Sequence, residues 1–173
     1  MSETHTIRCY EYVTHPYEEV RDALRRDPAA FFQRATTEAA SRAKGLVSSL
    51  RVRVGSVDIG ADAVVVVRSV VEELSAPGIH APRTRLAIAW RAAQSPSLFP
   101  AMEAELSVYA LGKDETQIDF CGTYTPPLGL FGEAVDAVVG HRIAEASVHR
   151  FVEDVAANVR QELAARRKGR ASA

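Results

Sequence analysis

Between residues 85 and 124 apolar and polar side chains change places at nearly every step. Leu86, Ile88 and Trp90 alternate with Arg85, Ala87, Ala89 and Arg91. Met102, Ala104, Leu106 and Val108 alternate with Glu103, Glu105, Ser107 and Tyr109, and Ile118, Phe120, Gly122 and Tyr124 with Asp119, Cys121 and Thr123. A period of two belongs to strands with one buried and one wetted face. The breaks are short: Ser95-Pro96-Ser97 and Gly112-Lys113-Asp114. Short connections between half-buried strands predict an antiparallel meander, since parallel neighbours need long crossovers.

The same pattern extends upstream. Val64 to Val71 is mostly valine, a residue with high strand propensity, and Ser75-Ala76-Pro77-Gly78 closes it. Leu50, Val52 and Val54 alternate with Arg51 and Arg53 and predict another strand. Ile7 to Val13 reads as the first strand, stopped by His15-Pro16. Two helices are expected next. One covers Tyr17 to Arg26; the other opens at Asp27-Pro28, passes Phe31 and Phe32, and runs as far as Lys44 with Gly45 as its stop.

Pro126-Pro127 ends the last strand, because proline cannot continue a ladder. A helix is expected from Gly129 or Gly132 to Ala165. Phe131, Val135, Val138, Ile143, Phe151, Val152, Val155, Val159 and Leu163 fall in one broad arc. Asp136, Gly140, Ser147, Asp154, Asn158 and Gln161 fall on the other side. The arc drifts along the helix, which a changing buried face or a bend near Gly140 or Ser147 explains equally well. Arg166 to Ala173 is expected to fray as a flexible basic tail, with a lipid contact as the alternative. Residues 1–165 are thus expected to form a single domain.

Composition removes several function classes. With 21 basic and 22 acidic residues the formal net charge is −1, without the basic excess of a nucleic-acid binder. No apolar run approaches the roughly 20 residues of a membrane span, and Met1 to Thr6 lacks the blocks of a signal peptide. The expectation is a soluble, cytoplasmic chain. Lys44, Lys113 and Lys168 are the only lysines among the 21 basic residues, a bias that fits a GC-rich bacterial source.

No phosphate loop, GxGxxG, GxSxG, HExxH or CxxC motif occurs. No catalytic residue, metal site or cofactor is therefore assigned. The polar constellation that stands out is His141, Glu145 and His149, spaced four apart on the long helix with Arg142 beside them. The plain reading is an ion-pair ladder at the helix edge. The others are a polar lining for a ligand cavity, and metal binding that lacks its further ligands.

The run Gly122-Thr123-Tyr124-Thr125-Pro126-Pro127-Leu128-Gly129-Leu130-Phe131-Gly132, followed by Asp136 and Arg142, resembles the last-strand-to-helix junction of the START-like helix-grip superfamily. Leu98-Phe99-Pro100, Glu105-Leu106 and Leu111-Gly112 are similar to the same branch, which includes polyketide cyclases and lipid-transfer domains. The resemblance implies an α+β helix-grip fold: a curved antiparallel sheet of six or seven strands wrapped on a long C-terminal helix, with two short helices after the first strand. It implies that the first strand neighbours the last, so Cys9 and Cys121 are expected to lie close, unbridged in a reducing cytosol.

It also implies a tapered hollow between sheet and helix and a hydrophobic small-molecule ligand, a lipid, polyketide or similar. Leu86, Ile88, Trp90, Met102, Leu106, Phe120 and Tyr124 are the expected wall, with His141, Glu145 and His149 as polar contacts. An aromatase/cyclase-type enzyme is the first rival, and it would need arginines, acids or bases facing inward. A protein-interaction module is the second, and it would need an exposed apolar patch that the alternation does not predict. Oligomeric state is left open.

Overall fold

The computed structural model describes residues 4–29, 31–36, 63–73, 82–92, 102–124 and 136–171, with side chains left undescribed at 63–64, 91–92, 136–143 and 170–171. Among these residues five strands form one antiparallel sheet: β1 (His5–Val13), β2 (Ala63–Glu73), β3 (Arg83–Ala92), β4 (Met102–Ala110) and β5 (Thr116–Tyr124). Their order is β1-β5-β4-β3-β2, so β2 to β5 pair in sequence, β1 lies beside β5, and β1 and β2 form the two edges. Among the described residues three helices accompany them: α1 (Tyr17–Arg26), α2 (helical residues 28–29 and 31–36) and α3 (Asp136–Ala171). The additional strand expected at 50–54, the far end of α2, and the Pro126-Pro127 and Leu98-Phe99-Pro100 segments lie outside the described residues.

Register turns the alternation into two faces. Cys9 stands opposite Phe120, Leu106 opposite Phe120, and Leu86 opposite Leu106. All four are buried, and the same rule carries Ile7, Ile88, Trp90, Met102 and Tyr124 to that inner face. In β2 the register slips between Val67 and Ser69, a bulge at Arg68 that changes the phase of the valines. Val65 before it and Val70 after it therefore share a face although they are five positions apart.

Pro16 starts α1 through its carbonyl, which accepts from Glu19 N at 3.1 Å and Val20 N at 3.2 Å. Tyr17, Val20, Ala23 and Leu24 turn inward. α2 follows at once, with Phe31 N donating to Asp27 O at 3.0 Å. α3 packs against β1, α1 and β5, burying Val148, Phe151, Val152, Val155, Val159 and Leu163. It is continuous through Gly140 and Ser147, 36 residues long.

Three expectations are corrected here. α3 does not end at Ala165; it continues through Arg166, Arg167 and Lys168, because Arg166 pairs with Glu162 and Arg167 reaches Glu19 at 3.6 Å. Asp154, placed on the solvated side by its angle, is 3% exposed, and Arg150 grips its two carboxylate oxygens at 2.8 and 3.1 Å. Cys9 and Cys121 do occupy neighbouring strands, yet Cys9 pairs in register with Phe120 and Cys121 with Arg8. The odd offset puts the two thiols on opposite faces of the sheet.

Candidate functional site

The inner face descends in rows set by the register. The outermost row reads His5, Tyr124, Met102, Trp90, Val65. The next reads Ile7, Gly122, Ala104, Ile88, Val67, and the third Cys9, Phe120, Leu106, Leu86, Val70. The second row has two small residues at its centre. The Phe120 ring lies back over them: a Cβ on Gly122 would stand 2.8 and 2.9 Å from two of its carbons.

Aromatic rings close this region of the interior. Phe151 of α3 meets Trp90 edge-on at 4.8 Å between centroids, and Phe120 lies 5.7 Å from Trp90 and 6.1 Å from Phe151. Phe32 from α2 adds a fourth ring, 6.1 Å from Phe151. Leu86, Ile88, Leu106 and Phe120 are at most 1% exposed, so these four expected wall residues are packed core here. Trp90, Met102 and Tyr124 share the outermost row: Trp90 is itself one of the packed rings, and Met102 and Tyr124 continue the row toward β1.

Two buried hydrogen bonds tie the helices to the sheet. The Trp90 indole N–H donates to Thr36 Oγ1 at 2.9 Å, and the Tyr17 and Thr84 hydroxyls are 2.7 Å apart. Gln33 Oε1 of α2 accepts from the Val65 main-chain N–H at 3.0 Å. The partner that a buried indole requires is therefore Thr36, which the alternation alone gave no means to find. Thr36 and Gln33 are the polar residues that sequence reasoning missed.

The polar end of the row is at β5 and β1. Tyr124 is buried, and its ring is 5.5 Å from the His5 ring. Burial first, and the negative charge of Glu145 second, raise its phenol above the ordinary range and keep it a neutral donor. Glu145 itself is exposed on α3, as is His149 one turn further. His141 lies in α3, with its side chain outside the described residues. Among the described residues, ion pairs along this helix join Arg150 to Glu153 and Asp154. No group of three metal-ligating side chains occurs among the described residues.

Arg83 and Arg85 of β3 face outward. Arg83 stacks on Tyr109 at 4.9 Å, and Arg85 pairs with Glu73 and, at 3.7 Å, Glu105. Arg91 is in β3 with its side chain undescribed; Arg51 and Arg53 lie outside the described residues. No helix among the described residues is long and apolar enough to cross a membrane.

No family model and no curated protein matches the chain. Solved structures do. An aromatase/cyclase from a Streptomyces species is 14% identical, with a TM-score of 0.44 over 93% of this chain and 96% of that one. Norcoclaurine synthase from Thalictrum flavum, solved with dopamine and hydroxybenzaldehyde, is 11% identical, with a TM-score of 0.46 over 91% of this chain and 87% of that one. A START superfamily protein from Mycobacterium smegmatis is 11% identical, with a TM-score of 0.41 over 91% and 98%. By its strand order, its paired short helices after β1 and the long α3 packed on the sheet, the chain has a helix-grip α+β fold.

Proposed function

We propose that the chain binds a hydrophobic small molecule between the outermost inner row of the sheet and the first half of α3. The observation that carries this reading is the make-up of that row. Met102, Trp90 and Val65 supply apolar surface, and at one end Tyr124 supplies a neutral phenol in the field of Glu145. An apolar wall with few directed polar groups is the usual form of a small-molecule site. The closed aromatic packing around Phe151 confines the ligand to this end. His5 joins Tyr124, Trp90, Met102 and Glu145 as a contact, with His141 one turn before Glu145 on the same helix. A lipid-like or polyketide-like body with a single polar group suits such a lining.

The test uses Trp90, the only tryptophan of the chain. Titration with anilinonaphthalene sulfonate should give saturable, one-to-one energy transfer from Trp90. Native mass spectrometry of protein purified from its own host should show a bound compound. Met102→Trp, which fills the row, should weaken probe binding at least several-fold. Absence of both saturable transfer and a co-purifying compound overturns the reading.

A further inference from the structure

Where β1 turns into α1, one nitrogen is shared by two side chains of opposite charge. His15 Nδ1 lies 3.1 Å from Glu19 Oε2, one turn along α1, and 3.2 Å from Arg167 Nη2, near the end of α3. The same Arg167 nitrogen is 3.6 Å from Glu19 Oε2. The imidazole is 13% exposed, and the Thr116 hydroxyl of β5 holds the His15 carbonyl at 2.7 Å, so the residue is fixed in place.

An imidazole nitrogen has one hydrogen-bonding direction in its ring plane. With a proton, Nδ1 donates to Glu19 and turns an N–H toward the arginine. Without one, it accepts from Arg167 and turns a lone pair toward the carboxylate. The two contacts exclude each other as hydrogen bonds.

We propose that His15 is a proton-operated selector that fastens the end of α3 to the β1–α1 corner when neutral and loosens it when charged. Among the described residues the imidazole faces Glu19 from α1 and Arg167 from α3, while β5 contributes the uncharged Thr116. With His15 neutral the three side chains sum to zero charge, and Arg167 joins His15 to Glu19. With His15 charged the sum is +1; the imidazolium takes Glu19 and repels the guanidinium beside it. Histidine is the side chain whose charge ordinarily changes between about pH 5 and 8. Arg167 is 65% exposed, so its contacts are those of a surface pair and the response is graded.

Nuclear magnetic resonance on the full chain tests this. At pH 8 the His15 ring nitrogens should report a bare Nδ1 and a protonated Nε2. Between pH 8 and pH 5 the helix-to-coil equilibrium constant of residues 166–169, read from Cα shifts, should shift toward coil by about 1.5- to 5-fold, the range of a surface pair. His15→Gln and Arg167→Gln should each abolish that pH dependence while residues 151–159 stay unchanged. Should His15→Gln not fold, the exposed Arg167→Gln carries the comparison alone. An Nδ1–H tautomer at pH 8, or a pH response kept in Arg167→Gln, overturns the proposal.

Discussion

Thr36 shows how one hydroxyl can set the position of a helix. It is 3% exposed and is the acceptor for the Trp90 indole. Thr36→Val keeps the volume and leaves a buried N–H unpaired, at a cost of about 1–3 kcal/mol. The urea midpoint should fall by the corresponding amount with the denaturant slope unchanged. The two cysteines separate just as clearly. Burial, reinforced by Asp119, Glu11 and Glu153, pushes the Cys9 thiol from 9.0 up to about 12, whereas Cys121 is half-buried on the outer face. At pH 8 a thiol reagent should modify Cys121 first and Cys9 only after denaturation; equal rates would contradict the opposed faces. The separation was hidden in the sequence, because both residues alternate correctly within their own strands. Only the cross-strand register, with Arg8 opposite Cys121, sends them apart.

At the scale of elements, period two was enough to place Leu86, Ile88, Trp90, Met102, Leu106, Phe120 and Tyr124 on one face, since a half-buried sheet writes its burial directly into alternation. The same argument failed where a strand is irregular or its outer face is not polar. The bulge at Arg68 resets β2, and Val66 and Val71 stand 41% and 47% exposed. Tyr10 and Tyr12 stand 57% and 43% exposed on β1, an apolar outer surface the alternation did not forecast. In α3 the arc of Phe151 to Leu163 was legible, but Asp154 was misplaced because helical angle carries no information about Arg150 neutralising it. The stacking of β5 on β4 makes a sharper prediction. Gly122→Ala puts a methyl 2.8 Å from the Phe120 ring and 3.2 Å from Ala104 Cβ. The ring is enclosed by Trp90 and Phe151 and cannot swing freely, so the cost should be about 1–3 kcal/mol in thermal or urea unfolding.

The molecule as a whole should lose stability on the alkaline side. Below about pH 9 the Cys9 thiol keeps its proton folded or unfolded. Between 9.0 and about 12 the unfolded chain releases that proton and the folded chain does not, so folding free energy falls as pH rises. Tyr124 and Tyr109, both raised chiefly by burial, act in the same direction above 10.0. The Cys9 contribution is at most about 1.4 kcal/mol per pH unit, and Cys9→Ala should flatten the urea midpoint measured from pH 8.5 to 10.5. An unchanged slope in the variant would remove Cys9 from the account.

Proportion has a consequence of its own. A helix of 36 residues measures about 54 Å, while strands of nine to eleven residues reach only about 30–36 Å. The sheet is too short a bench for the beam laid on it, so some of the beam overhangs. Leu163 is the last buried side chain among the described residues at the C-terminal end, and shortening the chain after Ala165 would shear off overhang without baring the apolar face that Leu163 closes. What such a trimmed protein would lose is Arg167, and with it the tie back to the opposite corner.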